Sequence, residues 1–129
     1  MPYNCRARVL YVDDDEGSRE MLCLLLRSSR IEVEAVSTAA QALSSIQIEH
    51  FDLYLLDAWL PDLDEFELCR RMRHLHPHTP ILFFSGAGYE TDKQRAIEAG
   101  ANTYVIKPDV SALLESVTYF IPQAQSAGA

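Results

Sequence analysis

The feature that most constrains the fold is a regular alternation of short, mainly apolar runs with longer amphipathic segments. The short runs lie at residues 9–12, 33–36, 53–56, 81–84 and 103–106. Apolar residues recur with helical spacing in the segments that follow them, at 16–28, 39–46, 66–72, 90–99 and 113–120. A run that is apolar throughout, such as LYLL at 53–56, is typical of a strand buried on both faces.

Five strands alternating with five helices predict an α/β fold, a doubly wound (βα)5 sandwich with one parallel sheet between two helix layers. Right-handed crossover connections leave only a few strand orders open for such a sheet. The 129 residues suffice for one domain. We place that domain at 8–122, with a lead-in at 1–7 and a flexible tail at 123–129.

Composition and charge argue against several classes of function. Nineteen acidic residues against eleven basic ones give a net charge of −8, which disfavours direct binding of nucleic acid. Apolar runs fall far short of the ~20 residues that span a bilayer, and the start lacks the pattern of a secretory leader. Three cysteines without CxxC spacing fit a cytoplasmic protein.

Polar side chains follow four of the five predicted strands at the point where each strand ends. They are Asp13, Asp14, Asp57, Ser85 and Lys107. Because the carboxyl ends of parallel strands meet at one edge of a sheet, ligands bind at that edge and we expect these side chains to gather there.

Such a gathering predicts phosphoryl chemistry. Two carboxylates 4 Å apart near a surface repel by ~4 kcal/mol, and a hard cation such as Mg²⁺ relieves that repulsion. Lys107 and Ser85 can then bind a phosphoryl oxygen. Asp57 stands alone after a central strand and is the best nucleophile, which leaves Asp13 and Asp14 to hold the metal.

Simpler explanations exist for each residue taken alone. Asp15 and Glu16 suit the first turn of a helix, as an N-cap and a favourable charge. The residues after Ser85 and Lys107 also suit plain turns. Complementary polar residues at four strand ends together favour a site.

Four segments carry a resemblance to a known family: YVDDDEGSRE, LYLLDAWLPDLDEFEL, ILFFSGAG and GANTYVIKPD. In order and spacing they are similar to the receiver domain of two-component response regulators, the aspartate-phosphorylated family of the chemotaxis regulators. The resemblance covers residues 8–120. It implies a flavodoxin-like sandwich with strand order 2-1-3-4-5 and a cis peptide bond between Lys107 and Pro108.

The resemblance also implies the phosphoacceptor and its metal site. Asp57 would accept the phosphoryl group. Asp13, Asp14 and Asp57, with the backbone carbonyl of Trp59, would hold Mg²⁺ or Mn²⁺.

Further residues take implied roles in binding and switching. Ser85 and Lys107 would bind the phosphoryl group, and Ser85 and Tyr104 would form the switch. Trp59 and Ala87 stand at positions that would modulate the lifetime of the phosphoryl group.

Three residues depart from the family pattern. Glu65 replaces a glycine, and we expect Asp64 to cap the next helix so that Glu65 falls in its first turn. Trp59 replaces a common methionine, and Asp109, in the place of a frequent phenylalanine, is expected to cap the last helix.

Two groups of basic or metal-binding residue types have ordinary explanations. We expect His74, His76 and His78 to be solvated residues in a loop at the opposite edge, with a metal site as the alternative. We expect a solvated helical face for Arg70, Arg71 and Arg73.

The resemblance implies a phosphorylation-controlled signalling switch rather than an enzyme in the ordinary sense, with intrinsic metal-dependent self-phosphorylation and autodephosphorylation. A histidine kinase or a phosphotransfer protein would donate the phosphoryl group. A downstream protein or a separate effector domain would recognise the face formed by helix four, strand five and helix five, through which a homodimer can also form.

Three alternatives remain. A degenerate receiver would bind partners without phosphorylation. A haloacid dehalogenase-type phosphohydrolase would need a second aspartate two residues after Asp57, where Trp59 stands. A flavin-binding domain would need a glycine- and hydroxyl-rich loop after the first strand, where three aspartates stand instead.

Overall fold

The computed structural model describes residues 7–57, 60–86 and 90–121. In chain order the strands and helices are β1 (Arg8–Val12), α1 (Glu16–Ser28), β2 (Glu32–Val36), α2 (Ala39–Ile48), β3 (Leu53–Leu56), α3 (Glu65–Leu75), β4 (Ile81–Ser85), α4 (Glu90–Glu98), β5 (Thr103–Ile106) and α5 (Val110–Phe120). The predicted alternation of five strands with five helices is confirmed.

The strands form one parallel sheet in the order β2-β1-β3-β4-β5. β1 lies between β2 and β3, with Val12 beside Val36 on one side and Leu56 on the other. The strand order implied by the resemblance is therefore confirmed, and the Lys107–Pro108 bond is cis as expected.

Both faces of the sheet are buried. Alternate residues of β1 point to opposite layers: Leu10 and Val12 pack with α2, α3 and α4, whereas Val9 and Tyr11 pack with α1 and α5. Every residue of β3 and β4 is buried. This double burial explains why those strands are apolar throughout. No helix in the described part of the chain combines the length and hydropathy that a bilayer span requires.

Among residues 7–57, 60–86 and 90–121, four helices begin at a side chain that accepts a backbone N–H: Asp15, Thr38, Asp64 and Asp109. Asp64 caps α3 and places Glu65 in its first turn, so the capping account of this departure is confirmed. A cap of this kind stabilises a helix by about 1 kcal/mol.

The histidine and arginine expectations are wrong in part. His74 lies within α3, and His76 hydrogen-bonds through Nδ1 to the Tyr54 hydroxyl. Arg70 and Arg71 are solvated and pair with Glu67. Arg73 is instead half-buried, and its guanidinium donates to the carbonyl of Gly100 and to acceptors of the loop between α3 and β4.

Candidate functional site

The carboxyl ends of the four strands β1, β3, β4 and β5 position the predicted site. The backbone N–H of Asp57 donates to the carbonyl of Val12 at 2.9 Å, which sets Asp57 beside Asp13. The backbone N–H of Lys107 donates to the carbonyl of Ser85 at 2.9 Å. The sheet thereby gathers residues that lie far apart in the sequence, as the α/β topology predicts.

Lys107 joins the two buried carboxylates. Its Nζ lies 2.8 Å from Oδ1 of Asp57 and 3.7 Å from Oδ2 of Asp13. Asp13 is fully buried and Asp57 is 8% exposed. Burial raises the pKa of Asp57 to about 6; Lys107 opposes this rise and the neighbouring Asp13 adds to it. One ammonium therefore does not fully compensate the two carboxylates.

Asp13 has hydrogen-bond partners on both oxygens. Oδ1 accepts the backbone N–H of Asp15 at 2.9 Å, and Oδ2 accepts the hydroxyl of Tyr11. Arg19 donates to the backbone carbonyl of Asp13 at 2.8 Å. Sequence reasoning missed Tyr11; the available signal was a polar tip in an otherwise aliphatic strand, two residues before Asp13 and therefore on the same side of the strand.

Asp14 completes an acidic cluster. Asp13, Asp14 and Asp57 each offer a carboxylate oxygen, and these oxygens lie within 4.8 Å of one another. Asp14 is exposed, so solvent reaches the cluster from that side. A donor set made only of carboxylate oxygens, open to water, fits a hard cation such as Mg²⁺, which keeps several of its waters.

Ser85 and Tyr104 lie on the neighbouring strands β4 and β5. Ser85 is fully buried at the end of β4, and its side chain shares a hydrogen bond with Tyr104. Burial raises the pKa of the Tyr104 phenol. The Tyr104 ring stacks on Phe83, with centroids 5.8 Å apart, and Phe83 stacks in turn on Phe66 at 5.6 Å. The expected switch pair is thus in direct contact. Trp59 and Ala87 lie outside the described residues.

Comparison with known sequences identifies the family. The family model of the response regulator receiver domain matches residues 9–118. The transcriptional regulatory protein CreB of Escherichia coli K12 is 35% identical over 103 residues, which are 80% of this chain and 45% of that protein. The chain thus spans less than half the length of the curated relatives it matches first.

Solved structures agree with this result. A CheY-like response regulator receiver domain protein from Methanospirillum hungatei superimposes with a TM-score of 0.86 at 29% identity, over 97% of this chain and all of that one. The receiver domain of a sensor histidine kinase from Pseudomonas aeruginosa PAO1, which has a magnesium ion coordinated in its active site cleft, gives a TM-score of 0.83 at 26% identity, over 91% of this chain and 98% of that one. The family binds Mg²⁺ at an acidic pocket, and this chain has the corresponding cluster. The chain belongs to the response regulator receiver domain family, whose members are signalling domains of two-component systems.

Proposed function

We propose that this receiver domain, at 8–122, is a switch controlled by phosphorylation of Asp57. The observation that carries the proposal is the contact of Asp57 with Lys107 at 2.8 Å beside the acidic cluster. The Asp57 carboxylate lies at the sheet edge beside the exposed Asp14, and a cation and a lysine can neutralise the charge that a phosphoryl group brings.

The transfer needs an ionised Asp57. A carboxylate oxygen of Asp57 attacks the phosphorus of a phosphohistidine, the P–N bond breaks, and the imidazole leaves with that electron pair. Because the pKa of Asp57 is about 6, the nucleophilic form predominates at neutral pH. Lys107 then exchanges its contact with the carboxylate for one with the phosphoryl oxygens.

The metal would be held by Asp13, Asp14 and Asp57, together with the backbone carbonyl of Trp59. Mg²⁺ or Mn²⁺ bound there would neutralise phosphoryl oxygens. The same residues would support self-phosphorylation by small phosphodonors and autodephosphorylation by water. Trp59 and Ala87 would set the lifetime of the acyl phosphate through access of that water. We expect Trp59→Met to change the rate of dephosphorylation; an unchanged decay would exclude this role for Trp59.

Switching would pass through Ser85 and Tyr104. A phosphoryl group on Asp57 competes for the Ser85 hydroxyl that now meets Tyr104, and the Tyr104 ring can then move within the half-buried space beside Phe83. This biases the face formed by α4, β5 and α5 between two states. That face exposes Ile97 and Ile106, which suit contact with a protein partner.

The partners follow from this reaction. A histidine kinase or a phosphotransfer protein would donate the phosphoryl group, and a downstream protein or an effector domain would recognise the α4-β5-α5 face, where a homodimer could also form. The net charge of −8 disfavours direct contact of this domain with nucleic acid. We place its work in the cytoplasm, which fits the buried free thiols of Cys23 and Cys69.

Incubation with acetyl phosphate and Mg²⁺, followed by intact-mass measurement, tests the proposal. We expect one phosphoryl adduct on the native protein and none on Asp57→Asn. Asp52→Asn is the matched control, because Asp52 is also a buried aspartate next to β3 but lies at the opposite edge of the sheet. It should form the adduct. A native protein that forms no adduct with acetyl phosphate or a phosphohistidine donor would instead favour the degenerate, phosphorylation-independent receiver.

A further inference from the structure

Tyr11 places a phenol beneath the acidic cluster. The residue is 1% exposed and lies in the apolar layer between the sheet and the helices α1 and α5. Its hydroxyl donates to Oδ2 of Asp13. Neither the sequence pattern nor the proposed phosphorylation of Asp57 assigns a role to this hydroxyl.

The hydrogen bond from Tyr11 ends on the same carboxylate oxygen that Lys107 approaches. Oδ2 of Asp13 has two described donors near it, the Tyr11 hydroxyl and, at 3.7 Å, the Lys107 ammonium. The same ammonium lies 2.8 Å from Asp57. A buried carboxylate that loses a donor attracts its remaining cationic partners more strongly. Without the phenol, Asp13 would draw Lys107 away from Asp57.

We propose that Tyr11 is a positioning residue that satisfies Oδ2 of Asp13, keeps Lys107 on the phosphoacceptor and moderates the affinity of the cluster for its cation. This inference rests on the proposed function, because it assigns Mg²⁺ and a phosphoryl group to the site. Removal of the hydroxyl leaves Asp13 with more uncompensated charge, so the cation binds more tightly.

Calorimetric titration with MgCl₂ tests the inference on metal binding alone. Since hydrogen bonds to charged groups are strong, we expect Tyr11→Phe to lower the Kd for Mg²⁺ by about fivefold. Phenylalanine keeps the volume of the ring, so the apolar layer stays filled. Tyr54→Phe is the matched control: Tyr54 is also a 1% exposed strand tyrosine with a hydrogen-bonded hydroxyl, but its partner is His76 at the other edge. Its Kd should match that of the native protein.

A double-mutant cycle separates this role from a general loosening of the fold. In an Asp13→Asn background, Tyr11→Phe should no longer change the Kd, because the charge that the hydroxyl satisfies is gone. An unchanged or weaker affinity of Tyr11→Phe in the native background would overturn the inference, as would an equal effect in the Asp13→Asn background.

The two proposals fail separately. If the native protein forms the phosphoryl adduct and Tyr11→Phe leaves the Kd unchanged, the inference fails and the proposed function stands. If the native protein forms no adduct, the proposed function fails, while the change in Mg²⁺ affinity still decides the role of Tyr11.

Discussion

The two edges of the sheet use buried polar groups in opposite ways. At the amino edge, the Arg73 guanidinium donates to the carbonyls of four loop residues and to the Asn102 side chain; the carbonyls belong to His76, Pro77, Thr79 and Gly100. At the carboxyl edge, Lys107 serves two buried carboxylates, and the pKa of Asp57 is raised. The Arg73 donors at the amino edge are paired with acceptors of the protein itself, whereas under the proposed function a cation or a phosphoryl group would balance the charge at the carboxyl edge.

The same contrast holds for aspartates on either side of β3. Oδ2 of Asp52 accepts the backbone N–H of Arg8 at 2.8 Å, and Asp52 returns its own N–H to the carbonyl of Arg8 at 2.7 Å. Asp57 instead faces another carboxylate across a shared lysine. A buried acid thus stabilises the fold at one edge and limits its stability at the other, where the proposed function uses it.

The largest expected effect lies at the amino edge. We expect Arg73→Ala to lower the free energy of unfolding by about 3 kcal/mol, because the part-buried carbonyls of His76, Thr79 and Gly100 lose a charged donor. Arg70 on the same helix is exposed and pairs only at the surface with Glu67 among the described residues, so Arg70→Ala should change stability by less than about 0.5 kcal/mol. Urea unfolding measures both. Equal losses of unfolding free energy for the two variants would show that the contacts of Arg73 do not stabilise the amino edge.

Replacing a buried aspartate by asparagine should change the free energy of unfolding in opposite directions at the two edges. In metal-free buffer at pH 7, Asp57→Asn should raise the free energy of unfolding by up to about 3 kcal/mol, since it removes a buried carboxylate whose pKa is raised. Asp52→Asn should lower it by about 1 kcal/mol, since it weakens a satisfied hydrogen bond. Chemical denaturation of both variants checks the signs. A loss of stability in Asp57→Asn would show that Lys107 already compensates the charges of the carboxylates at the carboxyl edge.

The gain from Asp57→Asn should depend on pH. The pKa of Asp57 rises from 3.8 in the unfolded chain to about 6 in the folded one, so between these values the folded state binds more protons. The contribution of Asp57 to stability therefore falls as the pH rises from 4 to 6, and the difference between the variant and the native protein should vanish below pH 4. Thermal unfolding of both proteins across this range gives the measurement. A difference that does not vary with pH would assign the gain to another cause.

The smallest expected effect is the gain in stability when Mg²⁺ binds the acidic cluster. At a free Mg²⁺ concentration of roughly ten times its Kd, the native protein should gain about 1.4 kcal/mol of stability. Asp52→Asn should gain the same amount, and Asp14→Asn should gain less because the cluster loses its exposed ligand. The shift of the melting temperature with Mg²⁺ reports each gain. An equal gain in Asp14→Asn would place the cation elsewhere.

Local sequence patterns predicted much of the architecture. The apolar runs at 53–56 and 81–84 gave strands, and the acid before each of three helices gave a cap. A glycine after a predicted helix favours a C-cap with positive φ, and the φ of Gly100 after α4 is +113°. These features depend on neighbours in the chain, so a single sequence is enough to find them.

Long-range partners were harder to predict. Arg73 resembled its exposed neighbours on α3, yet the loops that provide its acceptors lie up to 29 residues away. Helical spacing does not show that one arginine of three faces those loops. Likewise, the spacing of Tyr11 and Asp13 places both on one side of β1, but it does not show that the hydroxyl donates to that carboxylate.

By itself, the sequence determined the α/β class, the helix caps and the set of polar residues at one sheet edge, because each follows from periodicity or from a residue's place after a strand. Only the tertiary structure decided how those residues share their charges: Lys107 between two acids, Tyr11 beneath one of them, and Arg73 as the donor at the opposite edge. Such contacts depend on the distance between side chains from different strands, helices and loops, which no spacing along the chain specifies.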